Sequence, residues 1–204
     1  MFGFPFDHLA ALATFAFVAS FTPGPNNVML LASGVNYGFR RTVPHMAGIV
    51  FGFPLLLTSI GLGLGALFQA YPPLGEALKW FGVAYMLYLA WRIANAGAPA
   101  SEAGGAGQPL TLFEAAAFQW VNPKGWIMGI SAVATYSIAD RYFASVALIA
   151  LTFGLIAAGV TSTWAFFGVT LRRVLRDDRW RRIFNVAMAL LLVATLVPIV
   201  FGAI

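Results

Sequence analysis

The stretch Phe21-Thr22-Pro23-Gly24-Pro25-Asn26-Asn27 interrupts an apolar run that extends from about residue 9 to residue 31. Two prolines around a glycine cannot continue an α-helix, because proline lacks an N–H and clashes with the preceding turn. Pro25 can instead begin a second half-helix, whose first turn then contains Asn26 and Asn27. A break at membrane depth is costly because the freed backbone groups find no water there. The stretch therefore predicts a broken membrane helix with polar side chains at the break.

A second break of the same kind, Gln119-Trp120-Val121-Asn122-Pro123-Lys124, follows one hundred residues later, again inside an apolar run. We expect Asn122 to cap a half-helix that begins at Pro123 and carries Lys124 in its first turn. Two interrupted apolar segments at matching places in two halves of a chain point to the binding site of a transporter. The alternative is a pair of proline kinks that only shape helix packing, as in a membrane assembly or scaffold protein.

The composition predicts an all-α polytopic membrane protein. Of the 204 residues, 60% are hydrophobic and 9% are charged, whereas a soluble domain carries about 25% charged residues. The chain has no cysteine, which excludes disulfides, iron–sulfur clusters and cysteine-ligated zinc. The sequence contains no catalytic constellation at membrane depth, so we expect neither an enzyme nor a cofactor. The net charge is +5, and the basic residues that produce it cluster beside apolar spans. They therefore indicate membrane topology and not nucleic-acid binding.

Apolar runs of about 20 residues predict six membrane spans, of which the first and fourth are broken. The first twenty residues lack a basic stretch, so we expect a retained first span, not a signal peptide. A linker rich in alanine and glycine divides the chain into a first three-helix repeat at 1–95, a cytoplasmic linker at 96–112 and a second repeat at 113–204. The predicted spans are 8–34 (broken at 22–26), 43–68, 75–94, 113–137 (broken at 122–124), 142–169 and 183–203.

Basic residues predict the orientation of these spans. Nine arginines follow spans one, three and five, and only Lys79 and Arg141 lie on the other side. The positive-inside rule then predicts cytoplasmic odd loops and periplasmic termini. Because each half has three spans, the second half enters the membrane with opposite polarity, as an inverted repeat. Four glycine pairs spaced by four positions predict close helix packing: Gly34 and Gly38, Gly48 and Gly52, Gly61 and Gly65, and Gly125 and Gly129.

The breaks suggest a site for a carboxylate. The start of each half-helix presents free N–H groups and a partial positive charge, and Lys124 adds a full charge. Lys124 is therefore interpreted either as the partner of a substrate carboxylate or as a residue that releases and takes up a proton during transport. A third interpretation is a structural lysine that bonds backbone carbonyls freed by the first break. We favour function, because charges inside membranes usually serve one.

A bound amino acid also carries an ammonium group, for which Thr22, Asn26, Asn27, Asn122 and unwound backbone carbonyls are candidate acceptors. No aspartate or glutamate lies deep in a predicted span, so a second positive charge on the substrate would lack a counter-ion. Small neutral amino acids are therefore expected over lysine or arginine. His45, near the inner end of span two, is a candidate proton relay, although histidines at helix ends are more often incidental.

At these residues the chain resembles the LysE/RhtB family of amino-acid exporters. Thr22-Pro23-Gly24-Pro25-Asn26-Asn27, followed by Gly34, Gly38, Gly48 and Gly52, is similar to the first motif of the family. The segment from Gly82 to Trp91 is similar to its third-span pattern, and Phe113 with Asn122-Pro123-Lys124 is similar to its fourth span. The cysteine/O-acetylserine exporter branch looks most similar. Ala90 stands where many members have glycine. This difference bears on close helix packing at that position and not on the resemblance to the family.

The resemblance implies a bacterial inner-membrane exporter of small amino acids that uses the proton motive force. The substrate-binding candidates are then the residues of the two breaks: Thr22, Pro23, Gly24, Pro25, Asn26, Asn27, Asn122, Pro123 and Lys124. The proton-coupling candidates are Lys124 and His45. The expected partners are a small amino acid, protons, the lipid bilayer and, as an option, a second copy of the chain.

Overall fold

The computed structural model describes residues 4–96, 108–175 and 177–201. This part of the chain is helical and contains no strand, in agreement with the predicted all-α class. Its α-helices are α1 (Phe6–Phe21), α2 (Pro25–Tyr37), α3 (Phe39–Ser59), α4 (Gly65–Ala70), α5 (Pro72–Ala94), α6 (Leu112–Val121), α7 (Pro123–Tyr136), α8 (Tyr142–Arg172), α9 (Asp178–Ala194) and α10 (Val197–Val200). Most of the predicted linker, residues 97–107, lies outside the described residues.

Both predicted breaks are confirmed. The first separates α1 from α2 at residues 22–24, and Pro25 is the first residue of α2, where its missing N–H does no harm. The second break is narrower than expected, because Asn122 alone separates α6 from α7. The prediction that the Asn122 side chain caps α7 is wrong. Asn122 occupies the cap position, but its side chain makes no hydrogen bond to the helix.

The second predicted span differs most from expectation. It begins at Phe39, directly after Gly38, whose φ of 79° suits a residue without a side chain. Helix α3 contains Pro44 and Pro54 and is followed by a kink within Ile60–Leu64, where Gly63 has a φ of 99°. A continuous span was expected here, so this kink is a difference from the prediction. The last predicted span is likewise divided, into α9 and the short α10.

By length and composition, three segments of the described chain can cross a membrane: Phe39–Phe68, Ala139–Arg172 and Asp178–Val200. Helix α1 is apolar but has only 16 residues, or about 24 Å at the usual rise, which is less than the hydrocarbon core. The first break therefore separates α1 from α2, and neither helix is long enough to span the membrane alone. These apolar helices agree with a membrane protein.

Glycines allow two close helix contacts, as the glycine pairs predicted. An added Cβ at Gly34 on α2 would lie 2.3 Å from the Ala165 carbonyl oxygen on α8, and one at Gly168 would lie 2.3 Å from the Leu31 carbonyl oxygen. Gly48 and Gly52 allow a similar contact between α3 and α6, because an added Cβ would lie 2.4 Å and 2.6 Å, respectively, from backbone atoms of α6. The prediction is wrong at Gly65, where an added Cβ would meet no atom of another helix within 4 Å.

Candidate functional site

The two interrupted segments meet at Lys124. Its side chain extends from the first turn of α7 to the break between α1 and α2. There the ammonium nitrogen Nζ donates to the Thr22 carbonyl oxygen at 2.5 Å and to Thr22 Oγ1 at 2.9 Å. A longer contact of 3.4 Å joins Nζ to the Pro23 carbonyl oxygen. Carbonyls at the end of a helix lack donors within it, so Lys124 supplies donors to interrupted backbone. None of these three acceptors carries a full negative charge.

Gly24 provides the space in which the lysine lies. It is buried, and an added Cβ would lie 2.6 Å from Lys124 Cδ and 3.1 Å from Nζ. Its backbone is extended, with a φ of −175°, so the requirement for glycine comes from the lysine and not from the backbone conformation. A side chain at this position would push the ammonium group away from the first break.

Asn27 also satisfies the first break. Its side chain is 5% exposed, and Nδ2 donates to the Ser20 carbonyl oxygen at 2.9 Å and to the Thr22 carbonyl oxygen at 2.8 Å. The amide therefore bonds the freed end of α1 from its position in the first turn of α2. In this structure Asn27 holds the break together, and its N–H groups are engaged by backbone.

A pair of side-chain amides links the two halves of the chain. Asn26 Nδ2 donates to Gln119 Oε1 at 2.8 Å, and Gln119 Nε2 donates back to Asn26 Oδ1 at 3.2 Å. Gln119 is fully buried and also donates to the Ala115 carbonyl oxygen at 2.8 Å. Gln119 was absent from the predicted ligands, although an amide inside an apolar run is itself a signal of a polar site.

Asn122 has an unpaired polar atom. The residue is 3% exposed, and its side-chain oxygen Oδ1 is buried with no hydrogen-bond partner. The neighbouring freed carbonyl, that of Trp120, accepts from Trp126 Nε1 at 2.7 Å, so the second break is bonded without help from Asn122. Buried side-chain oxygens nearly always have a partner, and Oδ1 is therefore free to accept from a ligand.

These residues line one cavity between the two halves, which we call the central cavity. Its polar lining comes from both halves and includes the first turns of α2 and α7, whose N–H groups have no acceptors within their helices. The polar residues are Ser20, Asn26, Asn27, Gln119, Asn122, Lys124 and Thr161, and the apolar ones include Ile49, Phe53, Met128, Ala157 and Val160.

A second cavity lies on the other side of the first break. Thr22, Pro23, Pro25 and Pro123 line it together with Ser131 and apolar residues of α1, α7 and α10. Gly24 and Lys124 line both cavities. The lysine and the break therefore separate two cavities, and a movement of the Lys124 side chain would change the barrier between them.

His45 is not part of this site. It is 1% exposed and lines a different cavity, near the C-terminal end of α2. The structure therefore brings the predicted break residues together but leaves the second proton-coupling candidate apart. Within the described part of the chain, no group of three or more His, Cys, Asp or Glu side chains could hold a metal ion.

Comparisons with known proteins identify the family of this chain. The family model described as LysE type translocator matches residues 17–200. Cysteine/O-acetylserine efflux proteins of Escherichia coli (strain K12) and Shigella sonnei (strain Ss046) are each 32% identical over 197 residues, which cover 95% of this chain and 97% of theirs. No solved structure matches the chain. These relatives are transporters and not enzymes. The predicted family is confirmed, and the chain belongs to the LysE type translocator family.

Proposed function

We propose that this protein is a secondary transporter that exports small neutral amino acids from the bacterial cytoplasm, driven by the proton motive force. The family supports translocation, and the efflux proteins that are 32% identical carry cysteine and O-acetylserine in their name. The observation that carries the proposal is the Lys124 ammonium, which reaches from the second break to the first at the wall of a polar cavity. Export by proteoliposomes, measured with a panel of amino acids under an imposed pH gradient, tests it.

The substrate carboxylate is assigned to Lys124. The present acceptors of its ammonium are two carbonyls and a hydroxyl, none of which is charged, and a carboxylate adds the attraction between two full opposite charges. The first turns of α2 and α7 add N–H groups that favour an anion. A carboxylate entering the central cavity therefore competes with Thr22 and Pro23 for the lysine, and binding loosens the contact that closes the first break.

The substrate ammonium is assigned to neutral acceptors. Asn122 Oδ1 is buried and unpaired in the wall of the cavity, and the Asn26–Gln119 pair can exchange one of its mutual bonds for a bond to the ligand. The small apolar remainder of the lining accommodates a short side chain. Together these groups suit a compact zwitterion with no further charge.

Selectivity follows from the lack of acidic residues among those that line the central cavity. A second cationic group on the substrate would enter without a counter-ion, which is costly in a desolvated site. Neutral cysteine, serine and O-acetylserine are therefore expected to leave loaded vesicles, and lysine and arginine are not. Counterflow with radiolabelled substrates measures this. Robust lysine efflux with little efflux of the neutral amino acids would contradict the assignment.

We also propose the six-span inverted repeat, with both termini in the periplasm. Arginine asymmetry supports it, and so do two broken segments whose half-helices begin at Pro25 and Pro123. A reporter fused after Ile204 is expected to be periplasmic, and one inserted near Gly104 is expected to be cytoplasmic. Alkaline phosphatase and fluorescent-protein fusions report the two sides. A cytoplasmic C-terminus in an intact chain would overturn the inverted repeat.

A further inference from the structure

Another polar cavity, distinct from the two described above, lies at the other end of α2, and we call it the inner cavity. It lies between α2, α3, α5 and residues 108–110. Asn26 lines the central cavity and Asn36 lines the inner one. Ten helical residues separate them, which corresponds to about 15 Å along the helix axis. The polar side chains of the inner cavity are those of Ser33, Asn36, Tyr37, His45, Arg92 and Gln108.

His45 is the unpaired group of the inner cavity. Both ring nitrogens, Nδ1 and Nε2, are buried without a hydrogen-bond partner, although an imidazole always has at least one N–H to donate. Its polar neighbours are engaged elsewhere. The Ser33 and Thr42 hydroxyls bond each other at 2.8 Å, and Asn36 bonds Asn185 at 2.7 Å. A buried polar ring with no partner, in the wall of a cavity, indicates a ligand group that completes it.

Arg92 supplies a positive charge in the same wall. One guanidinium nitrogen donates to Glu114 Oε1 at 3.2 Å and another to the Gln108 carbonyl oxygen at 2.8 Å. A guanidinium has five N–H donors, so these two bonds leave donors for an anion. The Arg92 side chain is only partly exposed, which limits competition from water.

The inner cavity therefore repeats the chemistry of the central one. Each has one cation, Arg92 or Lys124, and one buried polar group without a partner, His45 or Asn122. Each also has a reciprocal amide pair that joins the first half of the chain to the second, Asn36–Asn185 or Asn26–Gln119. Apolar residues, among them Met29 and Leu89, complete the inner lining and suit a short aliphatic side chain.

We propose that the inner cavity is a second binding site for the transported amino acid, in which Arg92 and His45 receive the carboxylate. This inference rests on the proposed function, because the ligand is the same small α-amino acid. The substrate binds first at the inner site on the cytoplasmic side and then moves along α2 to the central cavity. Two sites of similar chemistry in series allow a zwitterion to cross without losing its charge partners.

The cysteine-free chain makes the inner site measurable by thiol labelling. Ile93 lines the inner cavity and is half-buried, so Ile93→Cys introduces a single thiol there. O-acetylserine, which has no thiol of its own, is the probe. At about ten times its dissociation constant, O-acetylserine leaves only about one inner site in ten unoccupied. Maleimide labelling of the thiol should therefore slow about tenfold. Labelling of Val174→Cys, at an exposed position outside both cavities, should not change.

Two further substitutions distinguish local binding from a remote effect. In the Ile93→Cys background, His45→Phe should abolish the protection, whereas Lys124→Met should keep it. Thermal unfolding checks that both variants fold. Protection that is lost with Lys124→Met would show that the central site causes it, and protection that survives His45→Phe would remove His45 from the site. Either result overturns the inference.

Equilibrium dialysis gives a measurement that does not depend on a His45 variant. At a concentration that just saturates both sites, the wild-type chain should bind two molecules of O-acetylserine, and Lys124→Met should bind between one and two, because only its central site is weakened. The second site alone would be overturned by two results together. The wild-type protein would export O-acetylserine but bind only one molecule of it, and O-acetylserine would not protect Ile93→Cys from labelling. A wild-type protein that neither binds nor exports any amino acid of the panel would overturn the proposed function and the second site with it.

Discussion

Replacing Lys124 with methionine is expected to weaken substrate binding in the central cavity roughly tenfold to a hundredfold, because one charged hydrogen bond contributes about 1.5–3 kcal/mol. Coupled transport should stop as well, since methionine offers neither charge nor proton. The same change removes the donors that now bond the Thr22 and Pro23 carbonyl oxygens. The first break should therefore become less stable, and the thermal unfolding temperature should fall.

Lys124→Arg separates the two functional roles. If the positive charge only binds the carboxylate, arginine should keep part of the affinity and part of the flux, because the sign of the charge is retained. If the lysine loses a proton in each cycle, arginine should bind substrate but fail to couple transport to a pH gradient, since it stays protonated. The broader guanidinium must also fit beside Gly24, where the lysine chain already lies close, so some loss of affinity is expected in either case.

The measurements are substrate affinity in detergent and flux in proteoliposomes with and without a pH gradient. Lys79→Met is the matched control, because Lys79 lies on α5, lines neither the central nor the inner cavity, and pairs with Glu76. It should behave as wild type. Wild-type affinity and flux in Lys124→Met, with only the unfolding temperature lowered, would show that Lys124 is a structural lysine that bonds the carbonyls of the first break.

The two breaks were predictable from sequence because their cause is local. Proline at positions 23, 25 and 123 removes backbone donors wherever the chain goes, so the ends of α1 and α6 follow without knowledge of the fold. The same local argument could not determine which groups bond the freed backbone of the first break. Lys124 was a candidate for a substrate contact and for a backbone contact, and its distance to Thr22 depends on how α7 packs against α1.

The amide pairs show more clearly what could not be predicted from the sequence alone. Asn26 was a candidate from its motif, but its partner Gln119 lies 93 positions away, and Asn36 and Asn185 are 149 positions apart. Polar residues in apolar runs could be flagged individually, whereas their pairing depends on the packing of separate helices. The capping role expected for Asn122 was wrong for a related reason. A local motif permits the cap, but in the folded chain the side-chain oxygen stays unpaired at the cavity wall.

Glycine spacing predicted close contacts but not which helices make them. Gly34 and Gly168 face each other across α2 and α8, and the second of these glycines belongs to no predicted pair. Gly65, which does belong to one, has open space around it. A spacing of four places two glycines on one helix face, and only the fold determines whether a neighbouring helix lies against that face.

Gly168→Ala is expected to destabilise the protein strongly. The new Cβ would lie 2.3 Å from the Leu31 carbonyl oxygen and 2.9 Å from Gly34 Cα. Both are backbone atoms, so α2 must move away from α8. Overpacking of a core costs about 1–3 kcal/mol, and rigid backbone neighbours favour the upper end. Because α2 carries Asn26 and Asn27 into the central cavity, its displacement should also reduce transport.

Gly159→Ala on the same helix is the matched control. A Cβ at that position would meet no atom within 4 Å apart from the nearby backbone of its own helix, and alanine in a helix is favoured over glycine by about 0.5–1 kcal/mol. We therefore expect thermal unfolding at or slightly above the wild-type temperature for Gly159→Ala and a clear decrease for Gly168→Ala. Size-exclusion chromatography of both variants should show aggregation only for Gly168→Ala. Equal stability of the two variants would contradict the close packing of α2 against α8, on which the position of the first break depends.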